Sequence, residues 1–101
     1  MTLKNKMRPV HPGEVLREEF LAPLGMSANE LAMELKVPTP RISDIVRERR
    51  AVSPDTALRL ARYFGTTAQF WLNLQTSYDL KITEETTGAK INSEVHARMV
   101  A

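Results

Sequence analysis

Four arginines fall within one stretch of ten residues: Arg41, Arg47, Arg49 and Arg50. A guanidinium presents five N–H donors in one plane and keeps its charge, so it can grip a phosphate or the O6/N7 edge of guanine through paired hydrogen bonds. The surroundings share the sign. Residues 36–62 hold seven basic side chains (Lys36, Arg41, Arg47, Arg49, Arg50, Arg59, Arg62) against three acidic ones (Asp44, Glu48, Asp55). Residues 9–35 hold one basic side chain, Arg17, against five acidic ones (Glu14, Glu18, Glu19, Glu30, Glu34). The net charge of +2 says little alone, but its concentration in one half is the footprint of a phosphate-binding face. The plain alternative is a solvated charged surface. Other chemistry finds less support. With no cysteine there is no disulfide, zinc finger or thiol catalysis. His11 and Glu14, in the HPGE segment, are too few to hold a metal, so helix initiation is the better reading of His11. His96 stands alone and reads as a surface residue. No nucleophile–base pair, metal spacing or phosphate loop is visible, so no catalytic residue, enzyme activity, metal or cofactor is expected.

The elements that must carry the arginines lie between Ser27 and Arg50. Ser27 is a good N-cap, and Glu30 three residues later completes a capping box. Leu31, Ala32 and Leu35 then share one helical face. Pro38 disfavours helical geometry at Val37 and interrupts the pattern. A further helix can begin with Thr39 as cap and Pro40 at its first position. Its inner face is Ile42, Ile45 and Val46; its outer face offers Thr39, Pro40, Arg41 and Asp44. Two helices joined by a turn of about three or four residues make a helix-turn-helix, whose second helix lies in the DNA major groove.

The rest of the chain supplies one supporting domain. Residues 1–10 read as a flexible basic arm that touches a DNA backbone or nothing. Pro12 opens a first helix with the apolar stripe Val15, Leu16, Phe20, Leu21 and Leu24; Glu14, Glu18 and Glu19 face water, and Pro23 and Gly25 end the element. After a short loop, Ser53 caps a fourth helix with Pro54 at its first position, and Gly65 lies past its end. Thr66 and Gln69 make another capping box, opening a fifth helix over 68–85. Its large positions are Phe70, Trp71, Leu74 and Tyr78, which serve either the core or a dimer interface, with the dimer favoured. Gly88 breaks the pattern. Residues 87–101 then form either a short amphipathic helix or a loose tail. The domain proper is thus 11–86, and the fold class is an all-α bundle of five helices. No run approaches the roughly 18 apolar residues of a membrane span, and no secretory signal follows Lys4, Lys6 and Arg8, so a cytoplasmic location is expected.

RPVHPGEVLREEFLAPLGMSANELA, LKVPTPRISDIVRERRAVSPDTALRLARYFGT and TAQFWLNLQTSYDL, in that order and spacing, resemble the HigA-type antitoxins of the lambda-repressor-like (xenobiotic-response-element) helix-turn-helix group. The resemblance covers about residues 8–80; the HPGE opening and the FWLNLQ segment make it specific. It implies a homodimer, joined largely through the C-terminal helix, that binds a palindromic operator in its own promoter and represses. It also implies a partner toxin, an mRNA-cleaving ribonuclease of the RelE-like fold. A minority of similar proteins stand alone as repressors with no toxin.

Position assigns the DNA roles. Arg41 is the candidate for base readout. Thr39 can meet a base, a phosphate or a thymine methyl, Pro40 offers only apolar contact, and Asp44 faces outward beside them. Ser43 reaches the groove floor or packs inward. Ser27 and the free N–H groups of its helix should meet a phosphate, with Asn29 beside them. Arg47, Arg49 and Arg50 should clamp the backbone; for Arg49 and Arg50 the plain alternative is loop solubility. A protein-binding module that keeps the helix-turn-helix only as a scaffold would have no need of this cluster.

Overall fold

A computed structural model describes residues 8–99. His11 starts the first helix: its backbone is extended and its Nδ1 accepts the N–H of Gly13 at 2.8 Å. Pro12 follows at the first helical position. Helix α1 spans 12–24 in three pieces, Pro12–Val15, a π-helical stretch Leu16–Leu21, and Ala22–Leu24. The widened stretch stands just before Pro23, which has no N–H to return and whose ring would clash with a carbonyl four residues back in a regular helix. Pro23 therefore sits inside the last turn instead of ending it; Gly25, at φ +60°, makes the left-handed exit.

Four helices follow: α2 Ala28–Leu35, α3 Thr39–Val46, α4 Pro54–Phe64 and α5 Ala68–Glu94. With no strand among the described residues, this is the expected all-α, five-helix bundle. Ser27 and Glu30 form the full capping box, and Ser53 caps α4 by accepting the N–H of Thr56. Two caps differ from expectation by one residue. Thr67, not Thr66, accepts the N–H of Phe70 at the start of α5, while the Thr66 hydroxyl receives the Trp71 indole N–H at 2.8 Å. Thr39 is the first residue of α3 and not its cap; Pro38 takes the flanking position.

The end of α5 also differs. Neither a separate short helix nor a loose tail begins at residue 87, because α5 runs through Gly88 to Glu94, and extended chain starts at Val95. One glycine costs a helix only about 1 kcal/mol relative to alanine, and no proline follows. At the other end, the expected arm is tied down from Arg8, whose guanidinium donates twice to Glu14, at 2.9 and 2.8 Å. Glu14 is thereby half-buried under Arg8, and the pairing holds its carboxyl below the usual range. The rest of the arm, residues 1–7, and the last two residues of the expected tail lie outside the described residues.

Leu16, Leu31, Ile42, Ile45, Leu60 and Trp71 are wholly buried and draw all five helices onto one core. Phe20 joins α1 to the aromatic rings behind it, with ring centroids 4.9 Å from Phe64 and 5.0 Å from Trp71. Gln75, almost fully buried, accepts the N–H of Val52 at 2.8 Å and fastens the α3–α4 loop to α5. Gly13 brings α1 against the end of α3: a Cβ there would lie 1.7 Å from the Ile45 carbonyl oxygen. Among the described residues no helix is long and apolar enough to cross a membrane, and no three His, Cys, Asp or Glu side chains gather as a metal site.

Candidate nucleic-acid interface

Helix α3 turns Ile42 and Ile45 wholly inward, at 0% exposure, while Val46, the third residue of the expected inner face, is only partly buried. That orientation leaves Pro40 exposed and Thr39, Arg41, Ser43 and Asp44 partly so, on one surface. The start of α3 is fixed by a side-chain bond: the Thr39 hydroxyl donates to Asn29 Oδ1 at 2.6 Å, linking it to the first turn of α2. Asn29 and Thr39 are thus brought together as a brace between the two helices. Ser27 lies at the same edge. Its hydroxyl accepts the N–H of Glu30 at 3.0 Å, and its own N–H donates to the Glu30 carboxylate at 2.8 Å. Those bonds hold the Glu30 carboxyl below its usual range, so the edge carries a negative charge as well as the unbonded first-turn N–H groups of α2.

The arginines divide into two sets. Arg41 pairs with Asp55 at the start of α4, and Arg50 pairs loosely with Asp44 at 3.4 Å. Arg47 and Arg49 are exposed and form no ion pair among the described residues. All four lie on or just past α3.

The helix-turn-helix family model matches residues 16–71, more than half of the chain. Virulence-associated protein I of Dichelobacter nodosus is 60% identical over 82 residues, 81% of this chain and 76% of that protein. Antitoxin HigA-1 of Vibrio cholerae is 39% identical over 77 residues, 76% of this chain and 72% of that one. Among solved structures, Pseudomonas aeruginosa antitoxin HigA with the higBA promoter superposes at a TM-score of 0.89 and 49% identity, covering 91% of this chain and 100% of that one. Antitoxin GraA in complex with its operator gives 0.88 and 53%, covering 99% and 100%. The chain belongs to the HigA-type helix-turn-helix antitoxins.

Two residues that brace α2 and α3 leave little trace of that role in the sequence. Arg17 of α1 donates to the Val46 carbonyl at 2.6 Å and to Glu48 at 3.2 Å, so it closes the C-terminal end of α3. Arg59 of α4 does the same for α2, donating to the Leu35 carbonyl at 2.8 Å. Both arginines thus satisfy end carbonyls that a helix cannot satisfy itself. A basic residue in an acidic helix is the only trace that Arg17 leaves in the sequence.

The apolar positions of α5 separate. Trp71 is fully buried against Phe20 and Phe70, so it belongs to the core and not to a surface between subunits. Tyr78 is partly covered, with its ring edge-on to His11 at 4.8 Å. Phe70 remains 38% exposed, and Leu74 is partly exposed beside the groove between α1 and α5.

Proposed function

We propose that this chain is a DNA-binding antitoxin that represses its own operon as a homodimer on a palindromic operator and neutralises an mRNA-cleaving toxin of the RelE-like fold. The observation that carries the DNA half is the orientation of α3: Ile42 and Ile45 lock it to the bundle, leaving Pro40 exposed and Thr39, Ser43, Asp44 and the Asp55-paired Arg41 partly exposed. In this reading Arg41 reads a base edge, with Thr39, Pro40, Ser43 and Asp44 around it. Arg47, Arg49 and Arg50 hold the phosphate backbone, and Ser27 and Asn29 approach a phosphate at the α2 edge. Two copies, each with α3 in a major groove, read an inverted repeat about one helical turn apart. Superposition over nearly the whole chain on HigA with a promoter and GraA with an operator supports the same use of the surface. The toxin partner rests on family membership. A stand-alone repressor is the second reading, suggested by a relative named as an uncharacterized HTH-type transcriptional regulator, YbaQ of Escherichia coli, 42% identical over 73 residues.

A gel shift on DNA from upstream of the chain's own gene tests the first half. Retardation that survives excess scrambled duplex is expected; its absence removes the repressor reading. Co-expression with the adjacent small open reading frame tests the second. Co-purification and relief of growth arrest support the antitoxin, and an adjacent gene with no such effect favours the stand-alone repressor.

A further inference from the structure

Asp55 stands on α4, outside the helix-turn-helix itself. It nevertheless touches the side chain to which base reading is assigned. Its Oδ2 accepts from Arg41 Nη1 and, at 2.9 Å, from Arg59 Nε. Arg59 is itself anchored, because its Nη1 donates to the Leu35 carbonyl at 2.8 Å. A continuous set of bonds therefore runs from the end of α2, through Arg59 and Asp55, to Arg41 on α3. A long exposed arginine ordinarily loses substantial side-chain entropy when it is fixed on a ligand. In the free chain Asp55 already holds that guanidinium on one side.

The bonding leaves the guanidinium able to act. Asp55 engages Nη1 only; among the described residues Nε and Nη2 make no hydrogen bond. Two neighbouring N–H groups on one edge of the fork suffice for guanine O6 and N7. Asp55 can keep its hold while the other edge meets a base. The two arginines also hold its carboxyl below the usual range, so it stays charged at neutral pH.

We infer that Asp55 is a specificity-determining positioning residue, which presets Arg41 for guanine from outside the recognition helix. The inference rests on the DNA reading above. A phosphate-facing carboxylate that did nothing else would weaken binding to every duplex alike, so its removal would strengthen all binding. That change leaves the ratio of specific to scrambled affinity where it was, whereas loss of a positioning residue lowers it.

The test is fluorescence anisotropy with two duplexes of equal length at one salt concentration, one covering the DNA upstream of the chain's own gene and one scrambled. Asp55→Asn is expected to cut the ratio of specific to scrambled affinity by about tenfold, with affinity for the scrambled duplex unchanged or higher. The loss should concentrate at a guanine whose replacement no longer matters in Arg41→Ala. The Asp55→Asn/Arg41→Ala double variant should fall no further than Arg41→Ala alone. Asp55→Ser, which also removes the carboxylate, is measured alongside in case one variant folds poorly. An unchanged or raised ratio in the Asp55 variants, or effects that multiply in the double variant, overturns the inference and leaves the DNA reading standing. Equal affinity of the unmodified chain for both duplexes overturns both.

Discussion

His11 and Gly13, two residues apart, show how little space separates the opening of α1 from the proposed reading helix, α3. Gly13 has no side chain because the Ile45 carbonyl occupies the place of its Cβ. Gly13→Ala must therefore push α1 and α3 apart, and the expected cost is about 1–3 kcal/mol, as for other over-packed sites. Urea unfolding measures it; an unchanged midpoint would show that the helices give way freely. His11 carries a pH dependence. Its Nδ1 must be unprotonated to accept the Gly13 N–H, and burial lowers its pKa from the usual 6.5. The unfolded chain then takes up a proton first as pH falls. Stability from this group is complete above about pH 6.5 and declines below it, toward the lower folded-state pKa. Urea midpoints between pH 7.5 and 5 should show that decline. His11→Asn, which keeps a capping side chain but cannot titrate there, should be less stable at neutral pH and flat across the window. The capping role of His11 was legible from its place before Pro12. The need for glycine at 13 was not, because the atom that excludes a side chain belongs to a residue 32 positions away.

At the scale of the helices, sequence pattern located every element and missed mostly their ends. Ser27, Ser53, Gly25 and Gly65 mark boundaries by local chemistry, and each stands where that chemistry requires. Thr66 and Thr67 are adjacent and chemically alike, so the choice between them fell to the Trp71 indole, which occupies one hydroxyl and leaves the other as cap. The inward side of α3 was legible from Ile42 and Ile45. The bonds of Arg17 and Arg59 to the ends of α3 and α2 were not, since nothing local distinguishes them from solvated arginines. The α2–α3 turn contains a further feature of this kind: Lys36 closes α2 at φ +61°, ψ +44°, the left-handed region that glycine adopts without penalty. Lys36→Gly is expected to stabilise the chain by about 0.5–1 kcal/mol, net of the greater freedom glycine gives the unfolded state. A raised melting temperature with unchanged DNA affinity is the outcome sought. A fall would mean that the Lys36 side chain contributes more than its backbone costs.

For the molecule as a whole, the question is how a single reading helix becomes an operator-binding protein. Helix α3 has eight residues, about 12 Å of axis, and can meet only a few base pairs. In the proposed reading a second copy covers the other half of a longer site, and α5 has the length to recruit it. At 27 residues it is about 40 Å long, in a molecule of 56 × 27 × 22 Å. Only its first half supplies buried residues, Trp71 and Gln75. Beyond Tyr78, Leu80 is 59% exposed and Ile91 is 43% exposed, eleven residues apart and so on one face of the helix. These two apolar side chains, with Thr83, Glu84 and Gly88 between them on the same surface, are left uncovered by the bundle, and a second copy is proposed to meet them there, alongside Phe70 and Leu74 nearer the core. Leu80→Glu should leave the fold intact, since the side chain is outside the core. It should weaken self-association in sedimentation equilibrium at least tenfold. Operator binding should then require more protein and rise more steeply with concentration, because assembly of the pair would occur on the DNA. If Leu80→Glu sediments as the unmodified chain does, the projecting half of α5 is not what joins two copies. The pairing surface would then narrow to Phe70 and Leu74 beside α1, and a substitution there, Phe70→Asp, should carry the same signature.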